Sequence, residues 1–332
     1  MSKATDSAAD PLVMVDAVVI GRNEGARLRA CLTSLTGQVR RVVYVDSGSN
    51  DDSVAVAKEI GAQVIELDMS KPFTAARARN AGWRSLGEDA PDFVQFVDGD
   101  CVVLAGWVGI AAAELADRPE LALVCGRRRE IHPEISVYNR LCDQEWGGPL
   151  GEIRTCGGDV MIRYSALQAV DGYDPRLIAG EEPELCVRLR KAGWILWRLA
   201  IEMTRHDAVM TRFGQWWARS RRAGHAFAEG AHLHGKAPER HWVPETRRAV
   251  FWGLVLPILI AALSIVWPAF LAVSLVYPLQ VFRLAAREGI GRRASWEWAF
   301  FTTLGKFAEA SGILQFHLGR LKGRRAELIE YK

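Results

Sequence analysis

Short apolar runs alternate with amphipathic stretches along the first two thirds of the chain. Leu12 to Ile20 (LVMVDAVVI) predicts a strand, and Leu28, Leu32 and Leu35 then recur at helical spacing in a helix from Gly25 to Leu35. Arg41 to Val45 predicts a second strand ending at Asp46, and Ala62 to Leu67 a third. The helix between them starts at Asp51 or Asp52 and stops at Gly61, a C-terminal capping glycine. A third helix is predicted over Phe73 to Leu86, carrying Arg77, Arg79 and Asn80. Next comes Phe93 to Val102 (FVQFVDGDCV), whose apolar part reads as a buried strand. Beyond it, Leu121 to Cys125 reads as a strand, and Ile153 to Ile162 encloses Gly157, Gly158 and Asp159. A helix opens at Gly180-Glu181-Glu182-Pro183 and ends before Gly193, with Pro183 suited to a first turn. Strand and helix in alternation predict an α/β fold with a mostly parallel sheet, right-handed crossovers and flanking helices.

The pattern then changes. Val250 to Phe282 is apolar and contains no charged residue. It is long for one bilayer crossing, which takes about 20 residues, and short for two. Pro257, Pro268 and Pro278 interrupt it. Arg247 and Arg248 precede it, and Arg283, Arg287, Arg292 and Arg293 follow. Positive charge on both flanks predicts that both ends stay on the cytoplasmic side of the inner membrane, with the run bent near Trp267-Pro268 as a hairpin. A buried hairpin in a soluble domain is the alternative. Trp296 to Leu318 reads as an amphipathic helix on a membrane surface, and the basic tail from Lys322 suits an anionic leaflet. These patterns divide the chain into a loose tail over 1–11, a catalytic domain over 12–245 and a membrane-associated region over 246–332, with the hairpin at 250–282 and the amphipathic helix at 296–318.

Composition narrows the chemistry. With 49% hydrophobic and 24% charged residues in 332, the chain is globular. A net charge of +3 gives no argument for nucleic acid as a partner. The six cysteines are scattered without a Cys-x-x-Cys pair, which excludes a zinc ribbon and fits a reducing compartment. His225, His232, His234 and His241 match no compact zinc spacing. The residues before Pro11 lack the basic start and apolar core of a signal peptide.

Ligands of open α/β sheets bind beyond the carboxyl ends of the strands. Asp98 and Asp100 stand at such an end, one residue apart, and two carboxylates there can hold a hard cation such as Mg²⁺ or Mn²⁺ with positions open for phosphates. A polar strand end with a turn is the plain alternative. Glu181, Glu182 and Glu184 could likewise only complement a helix dipole.

Four stretches in order, VVIGRNEGARLRACLTSL, VVYVDSGSNDDS, FVQFVDGDCVV and GEEPELCVRLRKAGW, resemble the family 2 glycosyltransferases with their GT-A (Rossmann-like) fold. ARARNAGW and GGDVMIRYSALQAVDGYDP support the resemblance, which spans Val13 to Arg198. It implies a nucleotide-sugar donor whose diphosphate lies on a divalent cation. Glu24 would help hold the nucleoside, Asp46 the base, and Arg79 would lie near base or diphosphate. Asp98 would meet ribose or metal, and Asp100 would ligate the metal. His206 falls where some relatives add a metal ligand, a structural histidine being the alternative. Relatives carry Glu-Asp where this chain has Glu181-Glu182, so Glu182 matches the general base and its extra methylene alters the reach. The resemblance implies inversion at the anomeric carbon. Asp159 falls where relatives place an acceptor contact, unless it is simply a strand-end acid.

Gln215-Trp216-Trp217-Ala218-Arg219 departs in order from the Gln-x-x-Arg-Trp element of processive synthases, so processivity is not inferred. Trp216 and Trp217 would stack on acceptor sugar or anchor at a membrane interface. The expected acceptor is a lipid-linked or cell-envelope glycan, as in polysaccharide biosynthesis, with membrane lipids as further partners. Two rivals are a nucleotidyltransferase, which the glycine-poor Gly21-Arg22-Asn23-Glu24-Gly25 disfavours, and a scaffold that kept the fold without catalysis.

Overall fold

The computed structural model describes residues 13–323. The predicted N-terminal tail over 1–11 and the basic tail beyond Gly323 lie outside the described residues. The first half is built as the apolar pattern requires. β1 (Val15–Gly21), α1 (Ala26–Leu35), β2 (Arg41–Asp46), α2 (Ser53–Ile60), β3 (Gln63–Glu66), α3 (Ala75–Arg84) and β4 (Phe93–Asp98) follow in order. The strands lie parallel in the order β3-β2-β1-β4, and Gly21, Asp46 and Asp98 come level at their carboxyl ends through the pairs Gly21↔Asp46 and Ile20↔Asp98. β1 and β4 are buried on both faces, so they are near-continuous apolar runs rather than alternating, while β3 at the edge is partly exposed.

The second half departs from the expectation of a mostly parallel sheet. It contains β5 (Cys101–Val103), α4 (Trp107–Asp117), β6 (Leu121–Glu130), α5 (Val137–Glu145), β7 (Gly151–Glu152), β8 (Val160–Arg163), α6 (Tyr164–Ala169), α7 (Glu181–Lys191) and β9 (Ile195–His206). β8 enters antiparallel between β4 and β6, β9 runs parallel to β6, and β5 and β7 pair antiparallel with β9. The result is a mixed nine-stranded sheet among the described residues. The β6–β9 register shifts between Cys125 and Arg127 and again before Arg128. Such bulges re-aim the side chains that follow them.

α8 (Phe213–His234), α9 (Val243–Val250), α10 (Leu256–Val266), α11 (Val276–Glu288) and α12 (Arg293–Leu321) complete the chain. A π-helical turn at Phe251–Val255 joins α9 to α10, and a 3₁₀ segment at Pro268–Leu275 leads into α11. Two helical stretches, Val243–Val266 and Pro268–Glu288, are long and apolar enough to cross a membrane, and little of either is buried in the protein. The chain reverses at Trp267, in extended backbone, where Pro268 has no amide hydrogen to continue the helix. Tyr277 donates its hydroxyl to the Trp252 carbonyl (2.7 Å) and so ties the two legs. α12 runs along α8 with Gly305, Ala308, Gly312 and Ile313 turned inward. A Cβ on Gly312 would strike the Arg221 carbonyl, and one on Gly224 the Glu309 carbonyl, so these glycines let the two backbones touch. α12 is therefore buried along one face, while Trp296, Phe300, Leu314 and Leu318 remain exposed on it.

Candidate active site

Five carboxylates and two arginines converge where the carboxyl ends of β1, β2 and β4 meet the start of α7. α3 begins at Thr74, whose hydroxyl accepts the Arg77 amide (3.1 Å), and this sets Arg79 one turn in, pointing at the rim. Arg79 is only 2% exposed. Its Nη2 donates to Asp98 Oδ1 (2.7 Å), and its Nη1 lies 2.9 Å from Glu181 Oε1 and 3.0 Å from Glu182 Oε1. The Tyr173 ring supports the guanidinium from 5.6 Å. One arginine thus gathers the helix-start acids and the strand-end acid across about a hundred residues of sequence.

Glu182 is 16% exposed. Burial, and then the Glu181 charge beside it, push its carboxyl up to about 7, against the pull of Arg79. Asp98 moves the other way. Burial opposes its charge, but Arg79 and Arg128 outweigh that and hold its carboxyl below the usual range. Two neighbouring acids pushed apart in this way can divide acid–base labour. Gly158 floors the gap between them. A Cβ there would strike Arg79 Nη2 and come within 2.9 Å of Asp98 Oδ2 and 3.0 Å of Glu182 Oε1, so close packing of the charged groups requires glycine.

Asp159 lies inside this frame. Its side chain has 0% exposure. Oδ1 accepts the Asp98 amide (3.0 Å), and Oδ2 accepts Arg128 Nε (2.9 Å) and the Thr204 hydroxyl (2.6 Å). It braces β8, β4, β6 and β9 rather than facing the open mouth. Arg128 continues to Asp98 Oδ2 (3.1 Å), so both oxygens of Asp98 sit on guanidinium groups. Arg128 thus supplies positive charge between Asp98 and Asp159.

Asp100, two residues past Asp98, is buried. The pairing Cys101↔His206 between β5 and β9 brings His206 alongside, with Nε2 at 3.2 Å from Asp100 Oδ2. Asp100, Cys101 and His206 form one of two clusters of metal-ligand type among the described residues, Asp98, Cys101 and Asp159 the other. Burial raises the Cys101 thiol well above its ordinary range, which keeps it a protonated, poor ligand. Carboxylate plus imidazole, with a diphosphate to complete the shell, suits Mn²⁺ or Mg²⁺, so the donor set of Asp100 and His206 fits a divalent cation.

The other predicted residues fall at varied distances from this centre. Glu24 overhangs the rim, its Cγ 3.2 Å from a Cβ built on Gly99, and pairs with Arg27 (2.8 Å). Asp46 accepts from the Tyr44 hydroxyl (2.9 Å) and the Gly48 and Ser49 amides (2.9 and 2.8 Å), so it shapes the turn after β2. Trp216 is buried between α5 and α12, its ring 4.9 Å from Phe301 and 6.4 Å from Tyr138. Trp217 flanks it in the same cluster. Neither tryptophan is gathered with Glu182. The aromatic beside His206 is Trp146, at the end of α5, 4.9 Å from the His206 ring and 5.4 Å from the Arg128 guanidinium.

Residues 16–166 match the family model of glycosyl transferase family 2. The chain carries a family 2 glycosyltransferase domain. Its sequence is 30% identical over 223 residues to the pre-mycofactocin glycosyltransferase of Mycobacterium tuberculosis (strain ATCC 25618 / H37Rv), covering 62% of this chain and 45% of that protein. It is 28% identical over 193 residues to the succinoglycan biosynthesis protein ExoA of Rhizobium meliloti (strain 1021), covering 53% of this chain and 57% of that one. The chain thus spans about half the length of these curated relatives. In structure it is similar to the mannosyltransferase PcManGT from Pyrobaculum calidifontis, solved in complex with GDP-Man and Mn²⁺, at a TM-score of 0.63, 18% identity and coverage of 94% of this chain and 90% of that one. That likeness gives the fold, a GT-A-like mixed α/β sheet with flanking helices and apolar C-terminal helices.

Proposed function

We propose that this glycosyltransferase is metal-dependent and inverting, and that it moves a sugar from a nucleoside-diphosphate sugar to a hydroxyl of a lipid-linked or membrane-proximal glycan. The observation that carries the reading is Glu182, a carboxylate with its pKa near 7 at the start of α7, tied through Arg79 to the rim that bears Asp98 and Asp100. Such a group can take the proton from the acceptor hydroxyl as that oxygen bonds the anomeric carbon and the bond to the diphosphate breaks. Attack opposite the leaving group inverts the centre. Asp100 and His206 would hold a divalent cation, which supplies charge neutralisation at the departing diphosphate. Glu24 and Asp46 line the nucleoside side of the rim, and Arg79 keeps Glu181 close enough to tune Glu182.

The membrane part of the proposal rests on the hairpin. Ile258, Leu259, Ile265, Val266, Leu271 and Leu275 are exposed along legs that arginines flank at both ends. Arg140 on α5 pairs with Glu297 on α12 (3.0 Å), and Tyr138 packs on Phe301, so the wall of the site near His206 is braced on the helix that holds the hairpin. This continuity supports an acceptor presented at the inner-membrane surface, with the catalytic domain on the cytoplasmic side.

Purified protein should release free nucleoside diphosphate from one member of a nucleotide-sugar panel in the presence of Mn²⁺, and chelation should stop it. Pyrophosphate as product would instead point to a nucleotidyltransferase. For the membrane, the full chain is expected to float with phosphatidylglycerol–phosphatidylethanolamine vesicles and to resist a carbonate wash. Leu259→Arg with Leu279→Arg, each on the exposed middle of a leg, should weaken that retention, each arginine costing about 2.5–3.5 kcal/mol at mid-bilayer. Wild-type protein that stays in the supernatant without detergent would overturn this part.

A further inference from the structure

We infer that Glu130 is a positioning residue of the cation site, acting through His206; the inference rests on the reading of Asp100 and His206 as the cation-holding pair. Glu130 is the last residue of β6, and the register Glu130↔His206 sets it beside the end of β9. It is buried, and its Oε2 lies 3.3 Å from His206 Nδ1, on the opposite side of the ring from Asp100. Every other polar group facing it is a donor. The Ala208 amide reaches both oxygens (3.3 and 3.2 Å), the His132 amide reaches Oε1 (3.4 Å), and Asn139 Nδ2 reaches Oε1 (3.3 Å). Asn139 is itself held by the Met210 amide and the His132 carbonyl, so the carboxylate cannot swing away.

A carboxylate can only accept, and His206 stands between two, so each ring nitrogen donates in the cation-free site; a cation taken up between Asp100 and Nε2 would replace the Nε2 proton and leave Nδ1–H on Glu130. A second carboxylate behind a ligating histidine fixes the tautomer and ring orientation and raises the basicity of the ligand nitrogen. Trp146 packs edge-on to the imidazole at 4.9 Å and limits its rotation from the side. Glutamine at 130 would place an amide donor where the surroundings offer only donors. One of them, His206 Nδ1 or the Ala208 amide, would lose its acceptor.

The test is Mn²⁺ titration by calorimetry on the full chain in detergent, with no sugar donor present. Wild type, Glu130→Gln and His206→Ala are compared, and circular dichroism melts report folding. Glu130→Gln is expected to weaken Mn²⁺ binding by about 10–100-fold. An affinity within about twofold of wild type, alongside a large loss in His206→Ala, would overturn the role of Glu130 alone. Equal affinity in wild type and His206→Ala would overturn the cation-site reading instead. Histidine ¹⁵N NMR of the metal-free wild type gives a second readout that does not depend on a variant folding. His206 Nδ1 is expected to carry a proton, and finding Nδ1 unprotonated, as in the Nε2–H tautomer, would refute the inference.

Discussion

Glu182→Gln is expected to lower turnover by about 10²–10⁴-fold while leaving donor binding close to wild type. Glutamine keeps the shape and the contact with Arg79 but cannot take a proton. The wild-type rate should fall as pH drops through about 7, because the Glu182 carboxyl is held that high by burial and by Glu181, and its protonated form is no base. Glu181→Gln removes the second of those causes, so the midpoint should move to lower pH. Stability should move the opposite way to activity. A carboxyl whose folded-state pKa is raised disfavours the fold as pH rises from its ordinary value towards 7. Glu182→Gln is therefore expected to melt above wild type at neutral and alkaline pH. A wild-type rate flat across neutral pH, or a Gln variant within a few-fold of wild type, would refute the base assignment.

Arg128→Met is expected to destabilise the domain by about 3–5 kcal/mol, the cost of leaving a buried charge partner uncompensated. Asp159 would keep its Thr204 and amide bonds but lose its counter-ion, and Asp98 would keep only Arg79. Asp159→Asn added to Arg128→Met should recover part of the loss, since the neutral amide needs no counter-ion. Denaturant melts of the two variants against wild type measure both effects. The sign with pH is also fixed. Arg79 and Arg128 keep Asp98 below the usual carboxylate range, so their stabilisation is full above that range and is lost as pH falls through the lowered pKa. The gap between wild type and Arg128→Met should narrow in acid. A single variant that melts with wild type would remove Arg128 from the frame.

The apolar periodicity carried much of the architecture. β2, β3 and β4 begin within a residue of the runs that predicted them, and the acids at their ends follow from where each run stops. β1 starts three residues later than Leu12, because apolar character alone does not tell a strand from the segment leading into it. Arg128, Glu130, Thr204 and Trp146 were not legible. Arg128 reads as one of three arginines in a basic run, and Glu130 as the acid that ends it. Only the register shifts after Cys125 aim Arg128 at Asp159 and set Glu130 beside His206. Trp216 and Trp217 stood out as a pair, yet it is Trp146 that lies against His206.

The chain by itself determined the order of strands and helices, the acids at the sheet rim and the charge-free span with its arginine flanks. These depend on neighbours a few residues apart, where hydrophobic period and backbone preference act. Tertiary structure alone decided which acids share Arg79, which one stands beside a histidine, and which is enclosed as a brace. Those outcomes depend on contacts between residues 19 to 106 positions apart, set largely by strand register. A change of register by one residue turns each side chain to the other face of the sheet.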